Sequence, residues 1–472
     1  MKRFIEAAFS KWKERAARKP LVLLGARQVG KTWIMREFGK RHFRRVHEFN
    51  FDGNDLLSEL FQTTKRPKDL LPKLASVSGE RIDVENDLIV FDEVQECYEA
   101  FNALKYFKED CPQQAIVAAG SLLGVKIGKR RKEREQPKSF PVGMVDLMNV
   151  DPLSFGEFLQ ARDAALFDYW QSVSGTEPLL EIQHQRLLDC YDEYLIVGGM
   201  PECVSLYLKT SDVAAVRETQ RNLLELYEND VVKHNGDVDA GRILTVWRAL
   251  VPQLAKENGK FIYGAAKEGA RAREYEAAVE WLVTARLLRR VNNLSEMRYP
   301  IQAYSVCNAF KLYSLDGGLL REAAGVLPKS ITLNEAFAFK GRLAENFVLQ
   351  QLAGVAEVPV HYWAERAEKE IDFVLQQLAG VAEVPVHYWA ERAEKEIGFV
   401  LQYGSDVVPV EVKTGEDKSA TTFKHYVAEK KPRFAIRFSR RNLRQDGGFV
   451  NIPLYLAERY QACLGDVNYQ NR

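Results

Sequence analysis

The sequence predicts an α/β protein whose first domain is a parallel β-sheet between layers of helices. The apolar run Leu21–Leu24 leads into a glycine-rich loop and then into an amphipathic helix pattern. A second apolar run, Leu88–Phe91, ends in two carboxylates about 60 residues after that loop, which is the spacing that parallel α/β units produce. Three further strand patterns complete the predicted sheet: His47–Asp52, Ala115–Ser121 and Met144–Val150.

Length and composition limit the class of protein. The chain has 472 residues, which predicts roughly three domains, and its 46% apolar and 28% charged residues are ordinary for a globular protein. A net charge of +1 argues against a global field acting on nucleic acid or a membrane surface. The six cysteines are scattered and form no C-x-x-C pair, so we expect reduced thiols and neither a zinc site nor a disulfide frame. With neither a signal peptide nor a membrane span in the pattern, we expect a soluble, cytoplasmic protein without a membrane partner.

The loop after the first strand reads G-x-x-x-x-G-K-T, a pattern typical of phosphate binding. Its two glycines let backbone N–H groups face phosphate oxygens, and the following helix adds its positive dipole end. We expect Lys31 to be a solvent-facing cation that reaches the β- and γ-phosphates, and Thr32 to ligate Mg²⁺. The competing interpretation is a plain glycine turn. The predicted nucleotide-binding residues of the loop are Gly25, Ala26, Arg27, Gln28, Val29, Gly30, Lys31 and Thr32.

Polar residues follow the second and third strands. Asp92 at a strand tip would hold Mg²⁺ through water, and Glu93 would act as the general base on the attacking water. Ser121 follows the strand Ala115–Ala119 and is a candidate sensor of the γ-phosphate, with a plain strand-to-helix turn as the alternative. The catalytic residues predicted here are therefore Glu93 and Lys31.

Several stretches resemble one large group of bacterial and archaeal AAA-type P-loop ATPases, in which a domain of unknown function follows the core. The resemblance implies ATP and Mg²⁺ as cofactors. Met144 stands where such proteins often carry a basic residue, so no arginine contribution to hydrolysis is assigned. The stretches that carry the resemblance are "GARQVGKT", "LIVFDEVQ", "AAGS", "DPLSFGEFL" (Asp151–Leu159), "YLIVGGMPECV" (Tyr194–Val204), "FKLYSLDGGLL" (Phe310–Leu320) and "GRLAENFVLQQL" (Gly341–Leu352).

The middle of the chain is predicted to be helical, with a break at Gly198–Pro201. The segment Arg242–Asn293 reads helix, turn, helix and strand, which together with the resemblance suggests a winged helix. Its second helix carries two arginines but three glutamates, so DNA binding and protein–protein packing both remain open. The basic run Lys126–Lys138 is interpreted either as a solvated loop or as a nucleic-acid contact.

The end of the chain resembles a restriction-endonuclease-like fold with a D-x(n)-E-x-K site. Asp372 and Glu411 would clamp a divalent cation, and Lys413, two residues on, would share the face of Glu411. Glu345 on the preceding helix is a candidate fourth ligand. Alternating charges on an edge strand are the competing interpretation.

Within this region a 26-residue segment occurs twice, at 351–376 and 377–402. The two copies differ at one position, where Asp372 corresponds to Gly398. Two nearly identical copies indicate a tandem duplication and not a repeat architecture. The short connection to Val407–Lys413 favours the second copy as the strand beside Glu411, with the inserted unit bulging from the domain edge. That strand lacks the aspartate, so we predict a degenerate nuclease site.

The sequence therefore predicts a RecA/AAA-like core (1–150), a helical lid (151–238), a winged helix (239–335) and a small α/β nuclease-like domain (336–472). Three functions follow from it: a Mg²⁺-dependent ATPase, an ATP-gated switch or scaffold with little turnover, and an ATP-controlled nuclease that is inactive here. DNA and a partner protein are the candidate partners, and the oligomeric state is left open.

Overall fold

The structure is a computed structural model. It describes residues 1–120, 143–234, 238–256, 261–269, 271–295, 301–335, 337, 339–354, 389–390, 396–397, 399–403, 406–414, 423–424, 427–428 and 431–464.

Five parallel strands form the sheet of the first domain: β1 (Leu21–Leu24), β2 (Arg45–Asn50), β3 (Asp87–Asp92), β4 (Ala115–Ala119) and β5 (Asp146–Asn149). They lie in the order β2-β3-β4-β1-β5, so β4 separates β1 from β3. Leu21 and Leu23 enter one hydrophobic core, and Val22 enters the other. Because both faces are covered, the strands read as continuous apolar runs. The prediction of an α/β fold built on a parallel sheet is confirmed.

Five helices cover this sheet: α1 (Glu6–Glu14), α2 (Lys31–His42), α3 (Asp55–Thr63), α4 (Pro67–Ser78) and α5 (Tyr98–Asp110). The core beneath β1 receives α1 and α2, and the opposite core receives α3, α4 and α5. Ile34, Met35 and Phe38 form the buried side of α2, which is the apolar side that its helical spacing predicts.

The next region is helical: α6 (Phe155–Arg162), α7 (Ala164–Ser172), α8 (Glu181–Val197), α9 (Pro201–Thr210) and α10 (Val213–His234). Ser154 and Glu157 form a reciprocal capping box that starts α6. Gly198, with φ of +73°, ends α8, and Pro201 opens α9 at its first position. The predicted helix break therefore lies at an elbow between two helices.

Three helices and an antiparallel strand pair follow: α11 (Ala240–Leu254), α12 (Tyr263–Ala266), α13 (Ala272–Thr284), β6 (Leu288–Leu294) and β7 (Ser305–Ser314). The second strand of the pair was not part of the sequence prediction. Among the residues that the structure describes, no helix is both long and apolar enough to cross a membrane.

Two short helices come next: α14 (Gly317–Ala323) and α15 (Pro328–Thr332). The start of α14 packs against the α8–α9 elbow with backbone in direct contact. A Cβ atom added at Gly318 would lie 2.6 Å from the backbone nitrogen of Gly198. Asp316 caps α14 through Leu319 N–H, and its second carboxylate oxygen accepts a 2.7 Å hydrogen bond from Gly199 N–H. The pairs Gly198–Gly199 and Gly317–Gly318 are therefore the two sides of one contact.

The last domain contains a helix, a mixed sheet and a short final helix: α16 (Lys340–Gly354), β8 (Trp389–Ala390), β9 (Glu396–Ile397), β10 (Phe399–Tyr403), β11 (Asp406–Val412), β12 (Ile436–Ser439), β13 (Arg444–Asp446), β14 (Phe449–Pro453) and α17 (Tyr460–Leu464). The sheet order is β10-β11-β12-β14-β13, and the β8–β9 pair is separate. Strand β12 pairs in parallel with both of its neighbours, whereas β10 and β13 run antiparallel at the edges.

The four letters "FVLQ" take two structures in this domain. From Phe347 they continue α16, where Phe347 packs edge-on against Tyr191. From Phe399 they form β10, which pairs antiparallel with β11 as the short connection predicts. The middle occurrence, Asp372 and Gly398 lie outside the described residues, so the bulging inserted unit stays a prediction. Neighbouring elements, and not the local sequence, therefore select helix or strand here.

We expect Gly318→Ala to lower the free energy of unfolding by about 1–3 kcal/mol, because the new methyl group meets the backbone of Gly198. Urea unfolding followed by near-ultraviolet circular dichroism measures this change. Gly341→Ala is the matched control, since Gly341 lies in α16 with nothing within 4 Å of an added Cβ. The control should be neutral or stabilising by up to about 1 kcal/mol. Equal stability of the two variants would contradict the close contact.

Candidate nucleotide-binding site

The loop between β1 and α2 needs its two motif glycines for different reasons. Gly30 is the N-cap of α2 and has φ of +91°, a conformation that favours glycine. Gly25 is required by space instead, because an added Cβ would lie 2.3 Å from the carbonyl oxygen of Val150, just after β5. Gln28 also has a positive φ, of +66°. The neighbouring strand therefore helps to hold the loop in its curled shape.

The side chain of Lys31 lies inside the loop and is only 7% exposed. Its Nζ donates to the carbonyl oxygens of Gly25 and Ala26, at 3.0 and 2.8 Å. Burial lowers the pKa of Lys31 to about 8, while Glu93 and Asp92 partly oppose this change. The expectation that Lys31 faces solvent is wrong, because the loop carbonyls draw the ammonium group inward.

Thr32, in the first turn of α2, and Asp92, at the end of β3, are in contact, although β4 separates β3 from β1, the strand that precedes the loop. Thr32 Oγ1 donates a 2.8 Å hydrogen bond to Asp92 Oδ2. Burial raises the pKa of Asp92, whereas the Thr32 bond lowers it. A hydroxyl oxygen beside a carboxylate oxygen is a donor set that Mg²⁺ prefers, so these two residues fit the cation.

Glu93 follows Asp92 at the tip of β3 and has φ of +49°. Its Oε2 accepts a 2.5 Å hydrogen bond from Gln95 Nε2. Gln95 in turn packs against the end of β4, where a Cβ added at Gly120 would lie 2.0 Å from its Oε1. No sequence pattern indicated a role for Gln95, although it lies in the same short motif as Glu93.

The other residues predicted near this site divide into two groups. Ser121 and the basic run Lys126–Lys138 lie outside the described residues. Met144 lies in a turn just before β5, partly exposed. Of the loop positions, Val29 is fully buried and Ala26 is 1% exposed, so these two contribute backbone and not side chains to the loop surface.

Arg3, which no sequence pattern indicated, stabilises the loop by a hydrogen bond to its backbone. Its Nη1 donates to the carbonyl oxygen of Val29 at 3.2 Å, and its Nη2 donates to that of Asp151 at 2.7 Å. Its Nε forms a 3.0 Å ion pair with Glu157 on α6. One buried guanidinium thus joins the phosphate-binding loop to the start of the helical region.

The last domain contacts the same helix. Phe155 N–H donates to Gln351 Oε1 at 2.5 Å, and Gly156 N–H donates to Glu458 Oε2 at 3.0 Å. The first-turn amides of α6 are therefore satisfied by side chains from far along the chain. This contact explains the stretch Asp151–Leu159 as a docking segment.

The carboxylates of the predicted nuclease-like site that the structure describes form ion pairs with basic side chains. Glu411 is 2% exposed, and its Oε2 accepts a 2.9 Å bond from Arg437 Nε on the adjacent strand. Lys413 Nζ lies 3.6 Å from the other oxygen, as the strand alternation predicts. Glu345 is paired with Arg342 at 2.9 Å. Both carboxylates are paired with cations, and Asp372 lies outside the described residues, so the D-x(n)-E-x-K site stays a prediction. The described residues contain no group of three His, Cys, Asp or Glu placed to hold a metal.

Residues 17–159 match a family model described as an AAA domain. The strand order, the loop and the Thr32–Asp92 contact agree with this match, which supports an AAA-type P-loop domain over these residues. Residues 188–330 and 378–457 match two domains of unknown function, DUF8612 and DUF4143. The DUF8612 match crosses the boundary predicted between the helical lid and the winged helix at 238–239. The DUF4143 match begins at residue 378, one residue after the second copy of the 26-residue repeat starts.

A comparison with curated proteins finds no match. Among solved structures, similarity is found to a Walker-type ATPase of Pyrococcus abyssi (16% identity, 67% of this chain and 94% of that chain, TM-score 0.40). Similarity is also found to the Aeropyrum pernix Orc1 protein in complex with DNA (12% identity, 71% of this chain and 95% of that chain, TM-score 0.29). A third similar structure is the Thermotoga maritima RuvB Holliday junction branch migration motor (15% identity, 61% of this chain and 87% of that chain, TM-score 0.26). Because these TM-scores are below 0.5, the assignment rests on the strand order and the family match.

We expect Arg437→Met to cost about 3 kcal/mol of stability, because it leaves the buried carboxylate of Glu411 without its closest cation. Adding Glu411→Gln should recover part of that loss. Arg433→Met is the matched control, since Arg433 pairs with Asp406 at the surface and should cost no more than about 1 kcal/mol. Chemical unfolding measures all three. A cost for Arg437→Met as small as that of the control would contradict a buried ion pair.

Proposed function

We propose that this protein is a Mg²⁺-dependent ATPase that couples hydrolysis to movement of its helical and C-terminal domains. The contact between Thr32 Oγ1 and Asp92 Oδ2 carries the proposal, because it brings the two expected Mg²⁺ ligands within 2.8 Å at the mouth of the loop. The match of residues 17–159 to an AAA domain supports it independently.

Each residue then has a chemical role. Backbone N–H groups of the loop would bind phosphate oxygens, and Lys31 would exchange its two loop carbonyls for the β- and γ-phosphates. Thr32 and Asp92 would hold Mg²⁺, which supplies charge neutralisation for the phosphates when bound. Glu93 would orient the attacking water and accept its proton.

Coupling to the helical region is supported by contacts on both sides of the loop. On one side Tyr227, a residue of α10, donates its hydroxyl to the carbonyl oxygen of Arg27 at 2.9 Å. On the other side Arg3 links Val29 to Glu157 on α6. A change in loop shape would therefore act on two lid helices at once.

An ATP-gated switch with little turnover is the second candidate. The hydrogen bond from Gln95 to Glu93 favours it, because Gln95 holds one oxygen of the proposed base and so weakens its capacity to accept a proton from water. Steady-state phosphate release separates the two candidates, since a switch would bind ATP tightly and release phosphate very slowly.

An ATP-controlled nuclease is the third candidate, with the activity lost. The Glu411–Arg437 pair supports this loss, because Arg437 already neutralises the carboxylate that a metal would need. Incubation of plasmid DNA with Mg²⁺ or Mn²⁺ tests it, and cleavage would contradict the proposed inactivity.

Residues 239–335 are proposed to form a winged helix, on the strength of three helices followed by an antiparallel strand pair. Arg271 and Arg273 are exposed at the start of α13, but Glu276 and Glu280 are exposed on it as well. This mixed charge leaves DNA and a partner protein as alternative ligands. The ATPase rate with and without DNA distinguishes them.

We expect Glu93→Gln to retain ATP binding and to lower turnover by about a hundredfold or more, because it removes the base without removing a phosphate contact. Lys31→Ala should lose ATP binding. Glu96→Gln is the matched control, an exposed glutamate in the turn after Glu93 that should hydrolyse ATP at the wild-type rate. Hydrolysis by Glu93→Gln at the wild-type rate would show that Glu93 is not the base.

ATP with Mg²⁺ should raise the melting temperature, since a ligand that binds only the native state adds about 2.7 kcal/mol at a hundredfold excess over Kd. Thermal unfolding of the wild type and of Lys31→Ala measures this effect. The shift should shrink when Mg²⁺ is chelated and vanish in Lys31→Ala. An unchanged melting temperature at millimolar ATP would remove nucleotide binding from the proposal.

A further inference from the structure

The guanidinium group of Arg27, in the middle of the phosphate-binding loop, forms an ion pair with the helical region. Arg27 Nη1 lies 2.6 Å from Asp230 Oδ1 on α10. The Asp230 side chain is only 4% exposed, whereas that of Arg27 is 37% exposed. The acid is thus fixed in the protein interior, and the arginine reaches toward it from the loop surface.

Helix α10 holds the backbone of the same residue. Tyr227, which is 1% exposed, donates its hydroxyl to the Arg27 carbonyl oxygen at 2.9 Å. Tyr227 and Asp230 are three positions apart and therefore share one face of the helix. Residues of α10 consequently bind both the backbone carbonyl and the side chain of Arg27.

Arg27 is also electrostatically close to the phosphate-binding cation. Its charge contributes to the lowered pKa of Lys31. A guanidinium within a loop that binds phosphates can donate two parallel hydrogen bonds to a phosphate or to a carboxylate. It can satisfy only one of these anions fully at a time.

We propose that Arg27 is a phosphate-contacting residue of the nucleotide site and that Asp230 competes with the nucleotide phosphates for it. This inference rests on the proposed ATP binding. Nucleotide binding then takes the guanidinium from Asp230 and leaves a buried carboxylate without its cation, which disfavours the packing of α10 against the loop. Asp230 therefore lowers the affinity for nucleotide. Part of the free energy of nucleotide binding is used to break the ion pair between Arg27 and α10.

The test is a set of dissociation constants for a slowly hydrolysed ATP analogue with Mg²⁺, measured by calorimetry. Asp230→Asn keeps the shape of the side chain and removes its charge, so it should lower Kd by about tenfold. Arg27→Gln should raise Kd, and Asp230→Asn should have no effect when it is added to Arg27→Gln. Glu228→Gln is the matched control, because Glu228 lies on the same helix and pairs with Arg248 at the surface.

Several outcomes would overturn the inference. An unchanged or higher Kd for Asp230→Asn would show that the ion pair is purely structural or supports binding. An equal gain in the Arg27→Gln background would show that Asp230 repels phosphate without acting through Arg27. If the wild type and Glu228→Gln both fail to bind the analogue at millimolar concentration, the proposed function falls as well. Circular dichroism of each variant identifies any that does not fold, and the double variant, which has no unpaired buried charge, still provides the comparison with Arg27→Gln.

Discussion

The ion pair between Arg3 and Glu157 is the interaction on which the arrangement of the domains depends. Both side chains are about 95% buried, so the pair stabilises the fold only if every remaining donor and acceptor is satisfied. The structure meets this demand with backbone groups. Arg3 donates to two carbonyl oxygens, and the carboxylate of Glu157 accepts from Phe4 N–H and Ser154 N–H. The N-terminal segment, the phosphate-binding loop and the helical region are thereby fixed to one another.

The other contacts between domains are likewise made by buried polar side chains that bind backbone amides or side chains of a distant segment. Asp316 caps α14 and also binds the backbone of Gly199 at the elbow between α8 and α9. Gln350 Nε2 donates to the same carboxylate from α16. Glu322, near the end of α14, is paired with Arg217 and Arg221 on α10, and this hydrogen bonding holds its pKa at about 2 despite burial. The helical region is thus tied to the last domain by polar contacts that have specific geometry.

Sequence reasoning identified the parts of this protein that depend on local chemistry. The loop, the strand that ends in Asp92 and the helix break at Gly198 are each written in residues that are adjacent along the chain. It could not identify Arg3 or Gln351, because apolar periodicity tells which face is buried and not which distant side chain will meet a backbone amide. The inward position of Lys31 was missed for a related reason, since its partners are carbonyl oxygens of the loop itself. Arg437 was missed because its pairing with Glu411 requires the strand register, which the pattern alone does not provide.

The capping of α6 has a consequence for the order in which the protein is made. The amides of Phe155 and Gly156 belong to the first part of the chain to leave the ribosome, but their acceptors lie 196 and 302 positions later. Domains generally fold in the order of synthesis, so this helix end leaves the ribosome before its two partners have been made. The helix obtains its final partners only when Glu458 has been translated. A chain that stops before Glu458 therefore lacks a partner for the first turn of α6, and the native environment of that helix depends on a residue made 302 positions after Gly156.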